Sequence, residues 1–145
     1  MVKKITIALA AIVLIFAFTS KDHKEVIFTK LAPAPIGPYS QAIKTGGTLY
    51  IAGQIGLRTD GYFDSTSIEN ETAQTLNNIK AIVEAAGMTL DNVSKATIYT
   101  TDLKNFSKIN EVYKTYFKLN PPARETVEVK ALPKGAHVEI SVIAN

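Results

Sequence analysis

Arg124 and Glu139 are the residues whose types and spacing best suggest chemistry. In Pro122-Ala123-Arg124-Glu125-Thr126-Val127-Glu128-Val129, a strand's period of two sets Arg124, Thr126 and Glu128 against Val127, Val129 and Ala131. The next run repeats the pattern, with His137, Glu139 and Ser141 opposite Val138, Ile140, Val142 and Ala144. If the two runs pair as strands, one sheet face is core. The other then carries an arginine, a threonine and a glutamate within reach of one another. That combination predicts a site for an anionic substrate and an activated water.

The rest of the composition narrows the alternatives. At 145 residues the chain has room for one domain with a real core. There is no cysteine, which removes disulfides, thiolate nucleophiles and cysteine-bound metals. The two histidines, His23 and His137, lie far apart and give little material for a zinc site. Net charge is +3, but Lys3 and Lys4 supply most of it, the other lysines are scattered, and tryptophan is absent. A nucleic-acid surface would show a clustered basic face with aromatics, and none is expected here.

The N-terminus reads as a leader. Lys3-Lys4, an uncharged run from Ile5 to Phe18 and Thr19-Ser20 have the layout of a secretory signal peptide. The run is shorter than the roughly 20 residues that span a bilayer. Cleavage after Ala17-Phe18-Thr19 or Phe18-Thr19-Ser20 would leave a mature domain of residues 21–145, exported to the periplasm. The rival readings are an uncleaved inner-membrane anchor, the only way a membrane becomes a partner, and a buried core helix.

The elements that must position the site follow in order. Val26-Ile27-Phe28 is a short β-type run, and Ala32 to Tyr39, with three prolines and a glycine, forms an extended ordered loop. Thr45-Gly46-Gly47-Thr48 turns a hairpin between Ala42-Ile43-Lys44 and Leu49-Tyr50-Ile51. Gly53 and Gly56 then mark close backbone approach. A helix is predicted from Ile68 to Ala86, with a Thr66–Glu69 capping box and Gly87 as its stop. Val93 to Thr101 is a strand with Ala96 and Ile98 on one face. A second helix spans Asn105 to Lys118, capped by Asp102 or Asn105, with Phe106, Ile109, Tyr113, Tyr116 and Phe117 inward. The order is β-β-β-α-β-α-β-β. Two amphipathic helices cover only one face of a six-stranded sheet. The other, carrying Tyr50, Ile98 or its neighbour Tyr99, and Thr126, is expected to find cover in another subunit, with a site between chains.

Several segments in this order closely resemble one family. They are Ala34-Pro35-Ile36-Gly37-Pro38-Tyr39-Ser40-Gln41-Ala42, Gly53-Gln54-Ile55, Asn78-Ile79 ahead of Ala85-Ala86-Gly87, Thr101-Asp102, Asn110-Glu111-Val112-Tyr113, Pro122-Ala123-Arg124 and Leu132-Pro133-Lys134-Gly135-Ala136. From residue 25 to the end the chain resembles the reactive intermediate deaminase family (RidA, also called YjgF). The resemblance implies a homotrimer with a chorismate-mutase-like α+β fold, a six-stranded sheet with two helices on one face. It also implies hydrolysis of 2-imino acids, or their enamine tautomers, to 2-oxo acids and ammonia without metal or organic cofactor. On that resemblance Arg124 holds the substrate carboxylate through a bidentate fork that lysine cannot reproduce. Glu139 activates water and shuttles its proton. Tyr39 and Asn110 line the pocket, and Gly53 lies where backbone approaches the ligand. Two positions depart from the pattern. Ala52 stands where the deaminase branch commonly has serine, which removes one polar contact worth about 0.5–1.5 kcal/mol. Thr126 stands where cysteine is frequent and retains the backbone carbonyl. His137 is expected to be a surface residue.

Two functions remain open at this level. One is an exported imine/enamine deaminase. The other is a trimeric small-ligand-binding or chaperone-like protein of the same fold without efficient chemistry, which Ala52 and the unusual compartment favour. Ribonuclease activity, attributed to relatives, finds no basic patch to support it.

Overall fold

The computed structural model describes residues 23–63 and 65–145. The leader and its cleavage positions lie outside these described residues.

The described chain forms β1 (Glu25–Ile27), β2 (Ala42–Thr45), β3 (Thr48–Gln54), α1 (Ile68–Ala85), β4 (Val93–Thr100), α2 (Phe106–Tyr116), β5 (Ala123–Glu128) and β6 (Val138–Ala144). The element order is the one the sequence predicts, and the class is α+β. The β2–β3 turn has both Gly46 (φ 55°) and Gly47 (φ 81°) left-handed, as a two-residue hairpin requires. Helix α1 is capped one residue later than expected. Ser67 is the cap and accepts from the Asn70 amide at 3.1 Å, while Thr66 Oγ1 accepts from the Asn70 side chain. Its end is a Schellman motif, with Met88 N–H donating to Val83 C=O and Gly87 N–H to Glu84 C=O. Asp102 opens the turn before α2 by accepting from the Lys104 amide at 2.9 Å, and Asn105 makes no side-chain cap.

The six strands form one sheet in the order β1-β2-β3-β6-β4-β5, antiparallel except for the parallel β4–β5 pair. Both helices pack on one face. A β4-α2-β5 unit places its strands side by side and parallel, because the crossover helix returns the chain to the same edge. The last strand enters the gap between β3 and β4. Its Val138, Ile140, Val142 and Ala144 are at most 3% exposed. Fully burying an apolar side chain of this size contributes about 1.5–3 kcal/mol, so the most uniformly apolar strand takes the central place.

This topology corrects the predicted pairing of the last two strands. β5 and β6 are not neighbours, since β4 lies between them. Nor do Arg124 and Glu139 share a face. Arg124 pairs with Ala96, which is fully buried beneath the helices, whereas Glu139 pairs with Tyr99 on the opposite face. Thr126 pairs with the buried Ile98, again on the helix side, so neither belongs to the uncovered face. That face carries Tyr50, Tyr99, Ser141 and Ile143, together with Val127 and Glu125. Period-two counting fixes the alternation within a strand. Which parity faces the helices is set by the strand's partner.

Candidate functional site, built in two clefts

Glu139 lies on the open face, against a bulge in β3. Between Ile51 and Gln54 the β3–β6 register slips, so β3 carries one extra residue at Ala52-Gly53. A Cβ on Gly53 would fall 1.8 Å from Glu139 Oε1, so glycine alone lets this carboxyl lie on the strand backbone. The carboxyl is part-buried, and desolvation raises its pKa above the ordinary carboxylate value. No hydrogen bond to it is formed by the described residues. Ile36, Tyr39, Ala52, Ile55 and Pro133 complete a cleft of about 250 Å³ around it.

The walls of this cleft are held by buried polar groups. Gln41, 1% exposed, receives the Thr29 amide at 2.7 Å and donates to the carbonyls of Thr29, Ala32 and Pro33. It thereby fixes the proline-rich loop that presents Ile36 and Tyr39, where the Ile36 amide donates to the Tyr39 hydroxyl at 3.2 Å. Asn78, on the buried side of α1, donates to the carbonyls of Ile55 and Leu57 and holds the other wall. Glu71 governs the approach to β6. Its carboxylate is 1% exposed, accepts from the His137 and Val138 amides at 2.6 and 3.0 Å, and meets His137 Nδ1 at 3.0 Å. A Cβ on Gly56 would strike Glu71 Cγ at 2.7 Å, which explains that second glycine.

Glu71 is the buried support of this region that sequence reasoning missed. Its signal was present: Glu71, Thr75, Asn78 and Ile82 form one i, i+4, i+7, i+11 row, so a carboxylate occupies a core-facing helical position. His137 is a surface residue, as expected, with its ring half exposed and its Nδ1 beside the Glu71 carboxylate.

Arg124 belongs to a different cleft, on the helix side at the β5 edge. Its guanidinium carbon sits 4.8 Å from the Tyr113 ring centroid and 5.8 Å from that of Phe106. No carboxylate among the described residues pairs with it. Asn110, Phe117, Pro121 and Pro122 line the surrounding space of about 440 Å³, and Glu111 there is paired with Lys114. Two buried atoms in this region, Asn110 Oδ1 and the Tyr113 hydroxyl, have no hydrogen-bond partner among the described residues. Thr126 lines neither cleft.

The predicted site residues therefore separate into two groups. Tyr39, Ala52, Gly53 and Glu139 gather in one cleft, and Asn110 and Arg124 in the other, across the sheet. The first can carry a proton; the second can hold an anion. Among the described residues no three His, Asp or Glu side chains cluster to hold a metal, and no helix is long and apolar enough to cross a membrane.

Comparison with known proteins agrees with this architecture. The family model described as Endoribonuclease L-PSP matches residues 29–145. A RutC family protein of Pyrococcus horikoshii is 54% identical over 122 residues, covering 83% of this chain and 97% of that protein. A human protein named 2-iminobutanoate/2-iminopropanoate deaminase is 45% identical over 122 residues, covering 83% of this chain and 89% of that one. The crystal structure of a Rid family protein of unknown function from Yersinia pestis superposes with a TM-score of 0.81 at 52% identity, covering 85% of this chain and 99% of that one. With its six-stranded sheet, its two helices and this match over nearly the whole described chain, the protein belongs to the RutC/RidA family.

Proposed function

We propose that this protein hydrolyses 2-imino acids, or their enamine tautomers, such as 2-iminobutanoate and 2-iminopropanoate, to 2-oxo acids and ammonia. The observation that carries the reading is the separation of Arg124 from Glu139 onto opposite faces of one sheet. Each cleft holds half of what the reaction needs. A second copy of the chain, laid against the open face, supplies the missing half, so the active form is a homotrimer with its site between chains. Mammalian relatives named as deaminases support the chemistry.

In this reading the Arg124 guanidinium binds the substrate carboxylate through two parallel hydrogen bonds. Glu139 of the adjoining copy, ionised, takes a proton from water as the water oxygen bonds to the C=N carbon. The protonated carboxyl then gives that proton to nitrogen, which leaves a carbinolamine. Glu139 next takes the hydroxyl proton as the carbonyl forms and passes it to the nitrogen as the C–N bond breaks, so ammonia leaves with both protons of the water. A carboxyl raised by desolvation is suited to both transfers, because its pKa lies closer to the working pH. Tyr39 and Gly53 shape the substrate's path to Glu139, and Asn110 lines the cleft in which Arg124 holds the carboxylate. Thr126, two residues along β5 from Arg124, lies outside both clefts of the single chain and has no part in this step. The leader pattern of residues 1–20 supports placing this activity outside the cytoplasm.

Generating 2-iminopropanoate in situ with an amino-acid oxidase and following its disappearance tests the reading. Accelerated loss, proportional to protein, is expected. Ala52 favours a second reading, a ligand-binding protein without efficient turnover, because it removes a hydroxyl from the Glu139 cleft and leaves a methyl there. Binding of 2-oxobutanoate with no acceleration of imine loss would select that alternative.

A further inference from the structure

The geometry points to Tyr113 as the positioning residue for Arg124: its ring is the platform that holds the guanidinium flat and open to a carboxylate. The inference rests on the assignment of Arg124 as the carboxylate anchor and goes beyond it.

Three observations converge. Arg124 has no acidic partner among the described residues, so ion pairing does not set the direction of its fork. What it does have is two aromatic rings, with Tyr113 at 4.8 Å and Phe106 at 5.8 Å from the guanidinium carbon. A guanidinium lying over a ring keeps its N–H groups at the rim, free for a planar anion. The ring is itself fixed. Tyr113 is 5% exposed and stacks on Phe117 at 4.5 Å with 29° between the planes, so the platform cannot swing away.

The Tyr113 hydroxyl has a different standing from its ring. It is buried, has no partner among the described residues, and burial pushes its pKa up to about 12. No described residue of the cleft uses it as a donor. The ring is therefore the working part, and phenylalanine should serve in its place. Phe106, 42% exposed and farther from the guanidinium, forms the weaker second wall.

Affinity for 2-oxobutanoate, measured by titration calorimetry on the assembled protein, tests this without requiring turnover. Tyr113→Leu should raise the Kd about 5- to 30-fold, the range expected for losing a desolvated cation–π contact. Tyr113→Phe should restore the Kd to within about twofold and hold or raise the Tm, since it removes an unsatisfied buried hydroxyl. In an Arg124→Lys background, Tyr113→Leu should add no further loss, because the two act as one unit. If Tyr113→Leu does not fold, Phe106→Leu carries the test, with a Kd rise of about 2- to 3-fold that vanishes in the Arg124→Lys background. A lowered Tm with an unchanged Kd in Tyr113→Leu overturns the proposal. So does Tyr113→Phe weakening binding as much as Tyr113→Leu, an unchanged Kd in Phe106→Leu where that variant is needed, or wild-type protein that binds no 2-oxo acid. Wild-type protein that binds 2-oxobutanoate through Arg124 but leaves iminopropanoate untouched defeats the deaminase reading and leaves this inference standing.

Discussion

The two clefts of this molecule are built on opposite principles. Around Glu139 the sheet itself does the positioning: a bulge, a glycine and buried side-chain amides bring backbone close to a carboxyl whose pKa is raised by desolvation. Around Arg124 a helix does it, by setting two aromatic rings beside a permanent charge. The first cleft has a proton carrier and no fixed charge to hold an anion. The second has the fixed charge, while its one carboxylate, Glu111, is already paired with Lys114. Dividing recognition from proton transfer has a physical consequence. On opposite faces of the sheet, the guanidinium and the carboxyl of one chain do not pair with each other, so desolvation rather than a neighbouring cation sets the direction of the Glu139 pKa shift.

The sharpest way to break that comparison is to disable one cleft at a time. Glu139→Gln keeps shape and polarity but cannot accept a proton, so kcat should fall about 10²- to 10⁴-fold with a smaller change in KM. Arg124→Lys keeps charge but loses the fork, and kcat/KM should fall about 10- to 150-fold. Equal turnover by wild type and both variants would mean that neither cleft is the site.

Mixing the two variants sharpens the comparison further. If each site takes Glu139 from one copy and Arg124 from the next, co-refolding the two at equal amounts should restore activity at about a quarter of the sites. Steady-state assay of the mixture checks this, and a mixture no better than its parts would reject a site shared between copies. Light scattering should show about three chain masses for such an assembly.

Removing a support rather than a reacting group should move stability as well as rate. Glu71→Ala leaves the His137 and Val138 amides without their acceptor, at a cost of about 1–3 kcal/mol per buried donor. Urea unfolding should report the loss, with kcat falling as the start of β6 loosens. Asn110→Ala, in the other cleft, strands no donor, because no described residue bonds to Asn110 Oδ1, and it should barely change unfolding.

The smallest effect is one of pH. Because burial raises the Glu139 pKa, the folded state holds this proton more tightly than the unfolded chain. The stability it contributes is full below the unfolded carboxylate pKa and is lost as pH rises through the folded value. Glu139→Gln should therefore gain Tm relative to wild type as pH increases across that window, and hold a constant difference above it. Thermal melts of the two proteins over that range check the sign.

Much of this molecule was written in local pattern. Alternation in Val138 to Ala144, the Gly46-Gly47 turn, the apolar stripe through Leu76, Ile79 and Val83, and the glycine stop after α1 each act within a few residues, where dihedral preference and periodicity are decisive. The resemblance to the family then pointed to the candidate site residues, Arg124 and Glu139 among them. Glu71 escaped because a buried carboxylate is marked only by its phase on the helix, and its partners lie far along the chain at His137 and Val138.

What the sequence by itself determined was therefore the order of elements, their ends, and which side chains alternate together along each strand. Tertiary structure alone decided which of those alternating sets faces the helices. That choice depends on which strand inserts where: β6 between β3 and β4, with Ala96 meeting Arg124 on one side and Val142 on the other. A shift of one residue, or a different neighbour, would turn every side chain of β5 to the other face. Sequence periodicity repeats identically under either choice, and only the burial gained by closing the sheet over α1 and α2 separates them.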